Sequence, residues 1–188
     1  MSKTDKNYPP GEFADIHDEQ MGIVVLDPPN GGADYDDIMH LSGTTGCTFD
    51  TVIVKGGLQR ENAVDFNNGS SDNTIRQLTV GAGKQCALYL KGGSCRNKFP
   101  DVVIIGAGGH SDIYLGDYSD QTAARSDGNE FGYVRRADGK PVRVAWNFLR
   151  AEKPVFSDPR TKVRYQYVLS LLRTFYVELK YRFPKLIP

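Results

Sequence analysis

His40, Asp65, Tyr89 and Tyr114 follow one another at steps of 25, 24 and 25 residues. An imidazole, a carboxylate and two phenols at one interval matter only if the chain returns to the same place on that period. If it does, His40 and Asp65 come close enough to pair, and the two rings beside them offer a platform to a sugar. Glycoside hydrolysis usually needs two carboxylates held a set distance apart across a cleft. Asp65 has no second carboxylate in its column, and Asp112 lies one position off it. Aromatic residues also favour exposed strand positions simply because neighbours stack there. The column therefore reads first as ordinary stacking and second as a glycan face.

The other candidate chemistry is thinner. "GGADYDD" places Asp34, Asp36 and Asp37 on a glycine loop, and alternate carboxylates can hold Ca²⁺ through oxygen ligands. The EF-hand spacing fails, so a solvated loop and no metal are expected. "GAGGHSD" looks like a phosphate loop, but no helix follows it, and His110 reads as a turn residue. Cys47, Cys86 and Cys95 have no metal-type spacing and are expected as reduced thiols. No thiol pairs with a histidine and no Ser-His-Asp arrangement stands out. Neither a cofactor nor an enzymatic activity is expected.

What must position the column is visible as an internal repeat. "CTFDTVIVKGG" (47–57), "NTIRQLTVGAG" (73–83) and "NKFPDVVIIGAG" (97–108) superpose Phe49/Ile75/Phe99, Val52/Leu78/Val102 and Val54/Val80/Ile104. After each glycine corner comes a second short apolar strand, superposing Met39/Val64/Leu88/Ile113 and Leu41/Phe66/Leu90/Leu115. Period-2 alternation turns one side of every strand inwards. One such unit cannot enclose a core, but units stacked about 4.8 Å apart with parallel ladders can. The expected fold is mainly β: a short right-handed parallel β-helix of about four coils over 22–120. An extended arm (1–21) precedes it, and a capping β-hairpin or linker (121–158) and a C-terminal amphipathic helix with tail (159–188) follow.

Asn73 and Asn97 stand at the same corner of successive units, where an Asn side chain can bond its own turn and the Asn one coil away. Cys47 replaces Asn in the first position of that column. With these stacked residues the stretch resembles the pectate-lyase-like right-handed β-helix superfamily, over about half the chain and by coil pattern alone. The resemblance does not bring the lyase activity. That would need acidic Ca²⁺ ligands on adjacent coils beside a basic residue, and the matching coils offer Lys91 and few acids.

The ends of such a coil need covering. "GYVRRADGKPVRVAW" has an Asp-Gly turn between alternating segments, a hairpin signal. Asp158 and Pro159 read as N-cap and first helical residue, with Val168, Leu171, Leu172, Phe175 and Leu179 on one helical face and Pro184 as a stop. A strand over 174–183 is the rival reading, since Phe175, Val177, Leu179, Tyr181 and Phe183 alternate. Ile53, Val103 and Ile105 point away from the core if their neighbours point in. They should be covered by the helix or by another subunit.

Charge is balanced overall but not along the chain. Residues 1–120 carry 9 Lys+Arg against 17 Asp+Glu, and residues 121–188 carry 14 against 6. The basic third either folds onto its own acidic body or meets that of a neighbour; its dispersed charges make a nucleic-acid partner the weaker reading. No apolar run is long enough to span a membrane, and the first residues lack a signal peptide's apolar core, so folding in a cytoplasm is expected. The β-helix resemblance extends to phage tail, spike and other virion proteins. It implies a non-enzymatic virion component, such as a capsid decoration, tail or spike-associated subunit, assembled in the host cytoplasm. Its expected partners are itself, trimers being common among such parts, and other virion proteins. The expected interface is Ile53, Val103, Ile105, Leu171, Phe175 and Leu179. The alternative is a carbohydrate-binding or carbohydrate-active domain using His40, Asp65, Tyr89 and Tyr114, and a bacterial scaffold with no viral connection is a third.

Overall fold

Two kinds of strand alternate along the chain. In the computed structural model, which describes residues 11–27, 37–55, 62–106, 109–117 and 124–182, they separate into two sheets. β1 (Glu12–Ala14), β3 (Asp37–Ser42), β5 (Asn62–Asn67), β7 (Cys86–Leu90), β9 (Ile113–Leu115), β11 (Val142–Trp146) and β13 (Val163–Tyr165) stack in that order in a seven-stranded sheet. β2 (Gln20–Leu26), β4 (Thr48–Val54), β6 (Thr74–Val80), β8 (Lys98–Ile104), β10 (Glu130–Arg136) and β12 (Val155–Phe156) form a six-stranded one. All pairings among the described residues are parallel. The chain is a parallel β-solenoid of about five turns, and the helix α1 (Tyr167–Arg182) ends it.

The register follows from the apolar alternation. Phe49 lies opposite Ile75, Val52 opposite Leu78 and Leu78 opposite Val102, and Val54, Val80 and Ile104 line up. In the other sheet Met39, Val64, Leu88 and Ile113 stack, as do Leu41, Phe66, Leu90 and Leu115. A slip of one residue would turn every one of these side chains to the outside. All of them are buried, and the core they form runs the length of the solenoid. Phe99 packs between Phe66 and Phe131, with ring centroids 5.4 and 5.2 Å away.

The corner asparagines form a ladder of three. Asn97 Oδ1 accepts from the backbone N–H and the side-chain amide of Asn73, both at 3.1 Å. Asn129 Oδ1 accepts from Asn97 in the same way, at 3.0 and 3.1 Å. Each amide also donates to a carbonyl: Asn73 to Thr44, Asn97 to Ser70, Asn129 to Ser94. Cys47, at the head of the column, donates its N–H to Asn73 Oδ1. Just before this position each coil passes through left-handed backbone, at Asp18, Gly46, Asp72, Arg96 and Gly128 (φ 54, 68, 61, 54 and 68°). This places the bend at one height in every turn.

Several boundaries differ from the sequence expectation. The solenoid takes in Glu12–Ala14 and Gln20–Leu26, placed above in or across the arm, and continues to Tyr165. The turn at Asp138–Gly139 exists, but its strands form no hairpin. β10 pairs with β8 and β12, and β11 with β9 and β13, so the segment is one more coil. Helix α1 starts at Tyr167 rather than Pro159. Asp158 instead closes a local turn, its Oδ1 accepting from Arg160 N–H at 2.9 Å, and Val163–Tyr165 then pairs with β11. Residues 174–182 are helical, which removes the strand alternative there. Pro184 lies outside the described residues.

One corner has no room for a side chain. Gly116 sits at φ +82°, and a Cβ there would fall 2.7 Å from Ala151 Cβ and 2.8 Å from Arg150 C. Gly116→Ala is expected to cost about 2 kcal/mol or more, a fall in Tm of roughly 4–8 °C for a chain of this size. Gly139→Ala serves as the control in the same melting experiment. It shares the positive φ (+70°), but nothing lies within 4 Å of its Cβ position.

Candidate functional site: a polar column on the outer face

The column read from the sequence forms. His40 lies opposite Asp65, Asp65 opposite Tyr89 and Tyr89 opposite Tyr114, with Glu12 before them and Ala145 after. These side chains leave the seven-stranded sheet on the side away from the core. Three of the four do not face water, Asp65 being 0% exposed, Tyr89 5% and Tyr114 1%, while His40 is half-buried. A sugar platform needs two accessible ring faces, and neither ring has one. The reason is α1. Leu169 packs on Cys86, Tyr89, Tyr114 and Ala145, and the Arg173 guanidinium lies over the Tyr114 ring, 4.9 Å from its centroid.

Two linked groups make up the column. At the α1 end, Tyr89 donates its hydroxyl to Asp117. Arg173 reaches Gln85 Oε1 at 3.2 Å, Tyr89 Oη at 3.5 Å and Asp117 Oδ2 at 3.7 Å. Burial, then the Asp117 charge, pushes the Tyr89 phenol well up, and the same two causes raise Tyr114. Both tyrosines therefore stay neutral at ordinary pH. At the other end His40 Nδ1 lies 3.2 Å from Glu12 Oε2 and its Nε2 lies 3.6 Å from Asp65 Oδ2. Lys91 Nζ is 3.2 Å from the same Asp65 oxygen. Neither Asp65 oxygen makes a hydrogen bond of good geometry among the described residues. Asp37, the described member of the acidic loop, is engaged by Asn62, whose N–H and side-chain amide donate to its Oδ1 at 3.0 and 2.8 Å.

The Asp65 carboxyl is held well above the usual carboxylate range by burial, against the pull of the Lys91 charge. The folded chain thus keeps a proton that the unfolded chain releases above about pH 3.9. Stability should fall as pH rises from that value through the raised folded one, and the loss should be absent below it. Asp65→Asn is therefore expected to raise Tm by about 2–4 °C at pH 7 and to leave it unchanged at pH 3. Scanning calorimetry at both pH values checks this; a lower Tm at pH 7 would show that the Lys91 pair outweighs the burial cost.

Chemically the column has an acid and a base, but its acid Asp65 and both phenols are buried and only His40 and Glu12 are partly exposed. A cleft of about 460 Å³ lies on the six-stranded sheet between Lys98, Pro100, Glu130, Tyr133 and Pro159, away from His40 and Asp65. Among the described residues no group of three or more His, Cys, Asp or Glu is placed to hold a metal ion. Asp34 and Asp36 fall outside them. Cys47, Cys86 and Cys95 are free thiols. Burial pushes Cys86 up to about 11 and raises Cys47, which leaves both poor nucleophiles. His110 is exposed and in a turn, its carbonyl accepting from Gln166 Nε2 at 3.2 Å.

The expected interface residues divide. Ile53 and Val103 share an outward column of the six-stranded sheet with Val25 and Thr79. They are half-buried, and Ile105 is 56% exposed. Helix α1 does not cover them, because it packs on the other sheet. It also turns the face opposite to the expected one towards the solenoid. Ser170, Thr174, Val177 and Glu178 are buried, while Val168, Leu171, Leu172, Phe175, Tyr176 and Leu179 are exposed. The cause lies at the end of β11, where the chain runs past its pairing with β13. Trp146 N–H donates to Ser170 Oγ at 3.1 Å and Phe148 N–H to Thr174 Oγ1 at 3.0 Å. Arg150 pairs with Glu178 at 2.8 Å. A helix that stands where β13 would have continued must bring hydroxyls and a carboxylate to those groups, since buried polar groups left unmet are costly.

No protein-family model matches the chain, and no curated protein or solved structure does. No helix among the described residues is long and apolar enough to cross a membrane.

Proposed function

We propose that this chain is a non-enzymatic structural subunit that docks on copies of itself and on other proteins in a larger assembly, a phage virion component of the decoration, tail or spike-associated kind. The observation that carries the docking half is the outward face of α1. Seven of the thirteen exposed large apolar side chains among the described residues lie on this one helix, and apolar patches of that size on soluble proteins mark interaction sites. The burial of Asp65, Tyr89 and Tyr114 supports the non-enzymatic half, because it leaves His40 without an exposed acid or aromatic partner in its column other than Glu12. The virion setting rests on likeness to short β-helices of phage particles, which is analogy of fold. Mass spectrometry of purified virions for peptides of this chain, with light scattering of the isolated protein, tests the proposal. Presence on particles and a mass above the monomer are expected; a stable monomer found only in cell lysate would overturn it.

A further inference from the structure

The exposed stripe of α1 has a regular spacing. Val168, Leu172, Phe175 and Leu179 are separated by four, three and four residues, the seam of a two-helix coiled coil. Leu171 and Tyr176, 48% and 50% exposed, flank it. The line Ser170–Thr174–Glu178 lies on the opposite side and faces the solenoid, so the seam points away from the body of its own chain. These six side chains are 44–73% exposed and form one apolar strip, the kind of surface that marks an interface. A surface of one helix with such spacing is complementary to itself.

Direction is set by charge. The next seam position after Leu179 is Arg182. Pairing the helices in parallel would bring Lys180 and Arg182 of the two last turns together, Arg182 being paired with its own Glu178 at 3.2 Å. Antiparallel pairing separates those cations by most of the helix and sets each helix dipole against the opposite one of its partner. We infer that α1 pairs antiparallel with α1 of a second copy, Val168 packing beside Leu179 of the partner and Leu172 beside its Phe175. This rests on the assembly reading above and names the occupant of the helix face.

The test uses the full chain. Light scattering should give twice 20.8 kDa, and Leu172→Asp with Phe175→Asp should weaken the dimer by about 100-fold or more. Circular dichroism should be unchanged in that variant, because both side chains are mostly exposed (63% and 60%). Direction is read by cross-linking in a Cys95→Ser background. Val168→Cys mixed with Leu179→Cys should oxidise to a disulfide between the two chains. Val168→Cys alone should not, since two such positions lie about 16 Å apart along an antiparallel pair. A disulfide from Val168→Cys alone, a trimeric mass, or a monomer would overturn the inference. Virion mass spectrometry reads separately, so a dimer missing from particles refutes the virion setting and leaves the pairing intact.

Discussion

Asn97→Ala is expected to remove about 3–6 kcal/mol of folding stability, through two or more buried polar groups left unmet at about 1–3 kcal/mol each. The side chain is 0% exposed and works in both directions. Its oxygen receives two donors from Asn73, and its amide donates to Ser70 O and Asn129 Oδ1. Alanine leaves all four partners short in a corner that water does not reach. Against a typical total of about 5–15 kcal/mol, that is a large share. Urea denaturation should show a large fall in midpoint. Asn129→Ala, at the half-buried end of the ladder, should lose clearly less. Equal losses below about 1 kcal/mol would mean that the ladder follows the fold rather than holding it.

Asp112→Ala should be comparably severe for a different reason. Arg136 occupies the register position of Val54, Val80 and Ile104, which all point into the core. Its side chain is only 9% exposed. A cation there must be met by partners: Asp138 accepts from it at 3.0 and 2.8 Å, and Asp112, fully buried, meets it at 3.1 Å while also accepting from Arg143 Nη2 at 2.9 Å and Arg143 N–H at 2.8 Å. Removing one partner of such a group costs about 3–5 kcal/mol. Thermal melts of Asp112→Ala, and of the same variant with Arg136→Met, measure it. The second change should recover part of the loss, because it takes away a guanidinium left with Asp138 as its one carboxylate partner among the described residues. A double variant no better than the single would indicate that Arg143 and the backbone contact dominate.

The two sites differ in how they could be read beforehand. Asn73 and Asn97 were legible as a column because they lead two strands of the same pattern, 24 residues apart. Asn129 was hidden by a step of 32 residues from Asn97, since the chain between β9 and β10 is longer than at other coils. The same insertion made β10 and β11 look like a hairpin. Locally an Asp-Gly turn between alternating segments is the same whether the strands pair with each other or with the coils on either side. Only the alignment of Phe131 and Val134 with Phe99 and Val102 distinguishes them. The position of Arg136 in an inward column, with Asp112 as its counter-ion, had no local signal at all.

The column His40–Asp65–Tyr89–Tyr114 was found with the right members and the right register, yet its exposure was misjudged. Register comes from alternation, which is local. Exposure depends on what lies over the sheet, and that was decided by α1. The helix carried two stripes, Ser170–Thr174–Glu178 and Val168–Leu172–Phe175–Leu179, and the usual rule buries the apolar one. Here the amides of Trp146 and Phe148, at the end of β11 and just past it, select the polar stripe instead. With it come Leu169 and Arg173, which close over the tyrosines.

A ladder of parallel turns has one more property, and it is mechanical. Each coil touches mainly the one before and the one after it, so tension applied along the axis is borne by one interface at a time. Drawn from its two ends, the molecule should lengthen in steps rather than at once. The coil from Asn73 to Asn97 would release 24 residues, or about 85 Å of chain at ~3.6 Å per residue. Such a body behaves less like a globule that bursts than like a cord wound on itself, giving way turn by turn.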